Sequence, residues 1–218
     1  MIRAAVPEAK ICGLTHPDDA LVSAQAGARY VGVVFAGGPR MLDPTRARVV
    51  LDGAGARARR VGVIGEQPVQ EIEAIARQAQ LDILQLHANP DATSVTEVQQ
   101  RTGREVWAVV RIRDGELPHR YDELVGVAGA VLLDAFSRQE LGGTGSALPW
   151  SHLARAMTGR PRPRRLVLAG GLRPDNVSMA VEALEPDVLD VSSGVEREIG
   201  RKDAAKIRAF VHAARGGR

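Results

Sequence analysis

The chain has 218 residues, of which 44% are hydrophobic and 25% charged, with a formal net charge of +3 and a single cysteine. These values belong to a globular protein and exclude a disordered chain, a collagen-like chain and a disulfide-built scaffold. Aromatic residues make up only 3% and the arginines are spread along the chain, so a basic stripe interleaved with stacking rings, as a nucleic-acid binder would need, is absent from the sequence.

The first ten residues, MIRAAVPEAK, lack an apolar core of signal-peptide length. The longest apolar stretch, Leu124 to Leu133, contains Gly126 and Gly129 and is far shorter than the ~20 residues of a membrane span. A lone cysteine suits a reducing compartment. The expectation is a cytoplasmic protein with no membrane and no nucleic-acid partner.

Eight short apolar runs then follow in order: Lys10 to Gly13, Tyr30 to Phe35, Val61 to Ile64, Ile83 to His87, Val106 to Val110, Ala130 to Asp134, Leu166 to Gly171, and Val188 to Gly194. Most are continuous rather than alternating, which fits strands covered on both faces in a parallel sheet. Between them lie helical patterns. Val69, Ile72, Ala76 and Ala79 share one face, as do Val177, Ala180, Val181 and Leu184, and Ile207, Phe210, Val211 and Ala214. Helix starts are signalled at Pro17-Asp18-Asp19, Asp43-Pro44, Pro68, Pro90-Asp91 and Pro174-Asp175. Strand, loop and helix repeated eight times at roughly 25–27 residues per unit predicts a closed (β/α)8 barrel of the TIM type. An open doubly wound sheet is the alternative, though it usually has fewer strands. No linker divides the chain, so one domain over 1–218 is expected.

Such barrels carry their chemistry at the C-terminal ends of the strands. There the sequence places Cys12, Arg40, His87, Arg111, Asp134, Gly170-Gly171 and Ser192-Ser193-Gly194. Cys12 alone reads first as a small buried hydrophobe, and as a catalyst only if nearby positive charge favours the thiolate. Asp134 ends an apolar strand, so it is either a cap or a carboxyl facing a cavity, where burial would keep it protonated. His87 reads first as a structural strand-end residue. The glycine turns at Gly142-Gly143-Thr144-Gly145, Gly170-Gly171 and Ser193-Gly194 follow the last three strands, where backbone N–H groups can close on a phosphate. The five histidines are scattered without metal-ligand spacing, and no dinucleotide fingerprint follows a strand. Neither a metal nor a cofactor is expected.

Taken together, these segments resemble the phosphoribosylanthranilate isomerase family of tryptophan biosynthesis. The resemblance rests on Lys10-Ile11-Cys12-Gly13-Leu14-Thr15 with Asp18-Asp19-Ala20, Val31 to Phe35, Pro39-Arg40, Arg60 to Val63 and Gln85-Leu86-His87. It continues through Leu132-Leu133-Asp134, Gly142 to Gly145, Leu168 to Leu172 with Pro174 to Val177, and Asp190 to Glu196. It implies a cofactor-free Amadori rearrangement of a small phosphorylated substrate by a TIM-barrel monomer or homodimer. By this resemblance Asp134 is the general acid and Cys12, as a thiolate of lowered pKa, the general base. Arg40 would hold the anthranilate carboxylate. His87, Gly143, Gly145, Gly170, Gly171, Ser193 and Gly194 would complete the substrate site. The chain departs from the family at Gly37-Gly38, Gly65-Glu66, Ala88-Asn89 and Ser146-Ala147-Leu148. Two rivals follow: a related isomerase of histidine biosynthesis, and a barrel that binds a phosphorylated metabolite without turnover.

Overall fold

The structure is a computed structural model that describes residues 6–112, 116–135 and 150–216. Eight parallel strands form a closed barrel in chain order. They are β1 (Glu8–Ile11), β2 (Tyr30–Val34), β3 (Arg59–Ile64), β4 (Ile83–Leu86), β5 (Glu105–Ile112), β6 (Ala130–Ala135), β7 (Leu166–Ala169) and β8 (Val188–Val191). β8 pairs back onto β1 and closes the cylinder. Outside it run α1 (Pro17–Gln25), α2 (Pro44–Asp52), α3 (Val69–Gln78), α4 (Ala92–Thr102), α5 (Arg120–Val127), α6 (Trp150–Met157), α7 (Val177–Leu184) and α8 (Ala204–Ala214). The expected (β/α)8 barrel is therefore what the chain forms. A short antiparallel hairpin, β9 (Glu196–Glu198) with β10 (Arg201–Lys202), follows β8; the sequence pattern did not indicate it.

The helices begin where short polar side chains satisfy free backbone donors. Asp43 accepts from the Arg46 N–H, Asp203 accepts from Ala205 and Lys206, and Asp91 forms a reciprocal capping box with Ser94. Pro17 and Pro44 stand at helix starts, where a missing N–H costs nothing. The Pro174-Asp175 signal falls early: α7 starts only at Val177, because the Asn176 side chain is used to tie the preceding loop.

Alternation along each strand sorts the side chains. One apolar set fills the interior of the cylinder, including Tyr30, Val61, Ile83, Trp107, Leu132 and Val188. The other set, including Ile11, Val31, Leu84, Val106 and Leu189, packs on helix residues such as Ile72, Ile75, Val95 and Phe210. At the N-terminal ends of the strands the interior is closed by rings and ion pairs. Tyr30 and Trp107 meet edge to face at 5.0 Å, Tyr30 donates to Glu8 at 2.8 Å, and Glu105 takes Arg59 at 2.6 Å and the Trp107 indole at 2.8 Å. The same alternation decides what stands at the other end. With Leu132 inside, Asp134 is inside; with Val188 inside, Asp190 is inside. Lys10 registers opposite Asp190, so Lys10, and Cys12 two residues on, share that interior.

Candidate active site

Cys12 lies one residue past β1 and is still tied to the sheet, since its N–H donates to the Val191 carbonyl at 2.8 Å. It is buried. Two residues before it, Lys10 is fully buried and pairs with Asp190 at 2.7 Å. Burial alone would discharge Lys10, but Asp190 and Cys12 overcome that and its pKa is raised, so it stays cationic. Asp190 binds Lys10 through Oδ2, while its Oδ1 is buried and makes no hydrogen bond to any described residue.

Asp134, on β6, sits across the same mouth. Burial raises its pKa, the negative charge of Asp190 adds to that effect, and His87, Arg111 and Lys10 oppose it. His87 follows β4 and is shifted the other way: burial lowers its pKa, Asp134 and Asp190 oppose this, and Arg111 and Lys10 add to it. Each shift runs toward the uncharged form of its own group. His87 Nδ1 is buried without a hydrogen-bond partner among the described residues. Cys12 and Asp134 both feel the charges of Lys10 and Asp190.

One expectation needs correcting. The resemblance implies a thiol of lowered pKa, but burial raises that of Cys12; Lys10 opposes this, Asp190 adds to it, and Lys202 opposes it further. The net direction is up, because desolvation of a thiolate inside a packed barrel outweighs one neighbouring cation that is already paired.

Arg40 lies at the rim, after β2. Its Nε and Nη2 donate to the two oxygens of Glu196 at 2.7 and 2.5 Å, so the fork expected for a substrate carboxylate is engaged by a protein one. Nη1 makes no hydrogen bond among the described residues. Lys202, on β10, donates to the same Glu196 at 2.9 Å and to the Ser192 carbonyl at 3.1 Å. Burial alone would raise the Glu196 pKa; Arg40 and Lys202 reverse this and hold it at about 2.

The glycine turns after β7 and β8 abut. Gly170 and Gly171 adopt φ of 93° and 63°, a region that glycine enters without strain. Gly194, in the 3-10 turn Ser193–Val195, has no room for a side chain: a Cβ there would lie 1.9 Å from the Leu172 carbonyl oxygen. Asn176 braces the first turn by donating to the Gly171 carbonyl at 2.9 Å and accepting from the Arg173 N–H at 2.7 Å. Of the sequence-predicted residues, Cys12, His87 and Asp134 gather around one ion pair, and Gly170, Gly171, Ser193 and Gly194 gather at β7 and β8. Gly143 and Gly145 lie outside the described residues. Sequence reasoning missed Lys10, Asp190, Glu196 and Lys202. The first two had a signal, since each is a charge inside an apolar run at a position sharing the inner face.

Among the described residues, no cluster of three or more His, Cys, Asp or Glu could hold a metal ion. No described helix is long and apolar enough to cross a membrane.

The fold and the site define a (β/α)8-barrel enzyme with a thiol and a carboxyl around a buried ion pair at the C-terminal mouth. Residues 9–213 match the family model described as N-(5'phosphoribosyl)anthranilate (PRA) isomerase. N-(5'-phosphoribosyl)anthranilate isomerase of Pseudomonas aeruginosa (strain UCBPP-PA14) is 41% identical over 216 residues, covering 96% of this chain and 95% of that protein. The structure of phosphoribosyl anthranilate isomerase from Thermotoga maritima superposes with a TM-score of 0.83 at 32% identity, covering 96% of this chain and 99% of that one. A phosphoribosyl anthranilate isomerase in complex with reduced 1-(o-carboxyphenylamino)-1-deoxyribulose 5-phosphate gives a TM-score of 0.80 at 31% identity, with 96% and 99% covered. The chain belongs to the phosphoribosylanthranilate isomerase family.

Proposed function

We propose that Cys12 and Asp134 are the base and acid with which this chain carries out the isomerase reaction of its family in tryptophan biosynthesis. The substrate is N-(5'-phosphoribosyl)anthranilate, and the product is its Amadori ketose. Asp134, kept protonated by burial, gives its proton to the furanose ring oxygen as the C1–O bond breaks. The nitrogen lone pair fills the gap and leaves a C1 iminium, which acidifies the proton on C2. The Cys12 thiolate takes that proton, and the electron pair forms an enolamine. Transfer of the C2 hydroxyl proton away and of a proton to C1 gives the ketone. One proton is donated and one removed, so the reaction is balanced without oxidant or reductant.

What supports this reading is that Cys12, at the end of β1, and Asp134, on β6, share the inner face of the barrel at its C-terminal mouth with the Lys10–Asp190 pair. The glycine turns at Gly170-Gly171 and Ser193-Gly194 would take the phosphate through backbone N–H groups. Arg40 could hold the anthranilate carboxylate with Nη1, or with its whole fork if the carboxylate replaces Glu196. Holding both anionic ends would place the sugar between acid and base. The bound ketose analogue in the solved relative has both kinds of group, a carboxyphenyl and a phosphate. The Thermotoga maritima protein is dimeric; a homodimer or a monomer is proposed for this chain, in the cytoplasm.

Cys12→Ala and Asp134→Asn test the assignment. Each should lower kcat by ~10²–10⁴-fold, the usual contribution of a positioned proton-transfer group, with the fold unchanged. The loss of substrate fluorescence on conversion measures the rate. Near-normal turnover by both variants would reject the roles.

A further inference from the structure

We propose that Lys10 is a positioning residue that favours the proton-accepting form of the Cys12 sulfur against the effect of burial, and that Asp190 anchors Lys10 in the place from which it acts. The inference rests on the reading of Cys12 as the base and adds the group that makes it one.

Geometry carries the argument. Lys10 and Cys12 are two residues apart at the end of β1, so both face the barrel interior. Asp190 is the register partner of Lys10 on β8, and the 2.7 Å bond fixes the ammonium. On the other side, β2 presents Gly32. A Cβ there would stand 3.1 Å from Cys12 Sγ and 3.2 Å from Lys10 Cε. One point on β2 thus lies against both the sulfur and the last carbon before the ammonium. Without a side chain at position 32, the lysine stem can run up beside the cysteine.

A structural role alone explains this pair poorly. Replacing a buried ion pair by apolar groups is often neutral or stabilising, and the interior below this pair is filled by apolar side chains such as Leu132 and Val188. Further charges act on Cys12 besides Lys10. Asp190 on β8 opposes the thiolate, Lys202 on β10 favours it, and Arg40 after β2 is coupled to it. Lys202 and Arg40 are both spent on Glu196. Lys10 is the strongest influence holding the thiol down against burial.

Because Cys12 is the single cysteine of the chain, a thiol titration reads it alone. The pH dependence of alkylation by iodoacetamide, and of thiolate ultraviolet absorbance, is measured without substrate in wild type, Lys10→Met, Lys10→Arg and Asp190→Asn. Lys10→Met should move the midpoint up by about one unit or more, a loss of about tenfold in thiolate at neutral pH. Asp190→Asn removes an opposing carboxylate but also the partner that holds Lys10 in place and charged, so its midpoint should rise too, by less than that of Lys10→Met. Lys10→Arg should restore a midpoint close to wild type. A loss of packing would leave Lys10→Arg displaced along with Lys10→Met, so recovery by arginine separates charge from structure. An unmoved midpoint in Lys10→Met, or one in Lys10→Arg that moves with it, overturns the proposal, and a midpoint below wild type in Asp190→Asn rejects the anchoring role. If Lys10→Met does not fold, Lys10→Gln decides in its place: an upward shift supports the assignment, and none ends it. In turnover, the rising limb of the pH–rate profile should move with the thiol midpoint in each folded variant. Normal turnover by Cys12→Ala would remove the catalytic reading while leaving the titration result to stand on its own.

Discussion

Glu196 accepts from two cations at once, and that engages the fork of Arg40. The carboxylate is held at about 2, against an ordinary value of ~4.3. A depressed folded-state pKa contributes stability that is complete above the unfolded value and is lost as pH falls through the folded one. Wild type should therefore lose thermal stability between about pH 4 and about pH 2 more steeply than Glu196→Gln, which cannot titrate. Melting temperatures over that range check this, and parallel curves would show that the network contributes nothing. At this scale the sequence was only partly informative. Cys12, Asp134 and His87 were legible because polar groups at the ends of apolar strands are unusual. The partner of Lys10 was not, because Asp190 is 180 positions away and only the closure of β8 on β1 brings them side by side. The direction of the Cys12 shift was hidden for the same reason: burial by the whole barrel sets it.

Elements are where the two glycine turns gain their meaning. After β7 and after β8 the chain reads as glycine-rich run-on, so the apolar runs extend to Gly171 and Gly194 in sequence; the strands stop at Ala169 and Val191. Continuous apolar residues mark a strand, but backbone dihedrals end it, and Gly170 and Gly171 leave the β region with positive φ. Gly194→Ala forces its new methyl onto the Leu172 carbonyl, so one of the two turns must move. Overpacking of this kind costs ~1–3 kcal/mol. The variant should melt lower and raise KM about tenfold or more at ~1.4 kcal/mol per decade, with kcat less affected. Steady-state kinetics with calorimetry check it, and an unchanged KM would argue that these turns do not bind the phosphate end. Helix starts were the most legible elements, because Asp43 and Asp91 satisfy backbone donors within three residues of themselves. The β9–β10 hairpin was not legible. It is held by its inward contacts, Lys202 on Glu196 and Lys206 on the Glu196 carbonyl, rather than by a strand pattern.

Across the whole molecule, eight repeats of strand and helix put one apolar layer inside the cylinder and another under the helices, and that division was readable from continuous hydrophobic runs. It leaves two unlike ends. Around the strand starts, the interior is closed by Tyr30, Trp107 and their carboxylate partners. Around the strand ends stand Cys12, His87, Asp134 and the Lys10–Asp190 pair. Burial raises the pKa of both the thiol and the acid, and the proposed mechanism draws on the thiolate of Cys12 and the protonated carboxyl of Asp134. The pH dependence of kcat/KM in wild type and Asp134→Asn tests this most directly. Wild type should rise and then fall, because the thiolate forms as pH increases and the carboxyl proton is lost. Asp134→Asn should keep the rise and lose the fall, at a much lower rate throughout. A variant profile with both limbs intact would contradict the account.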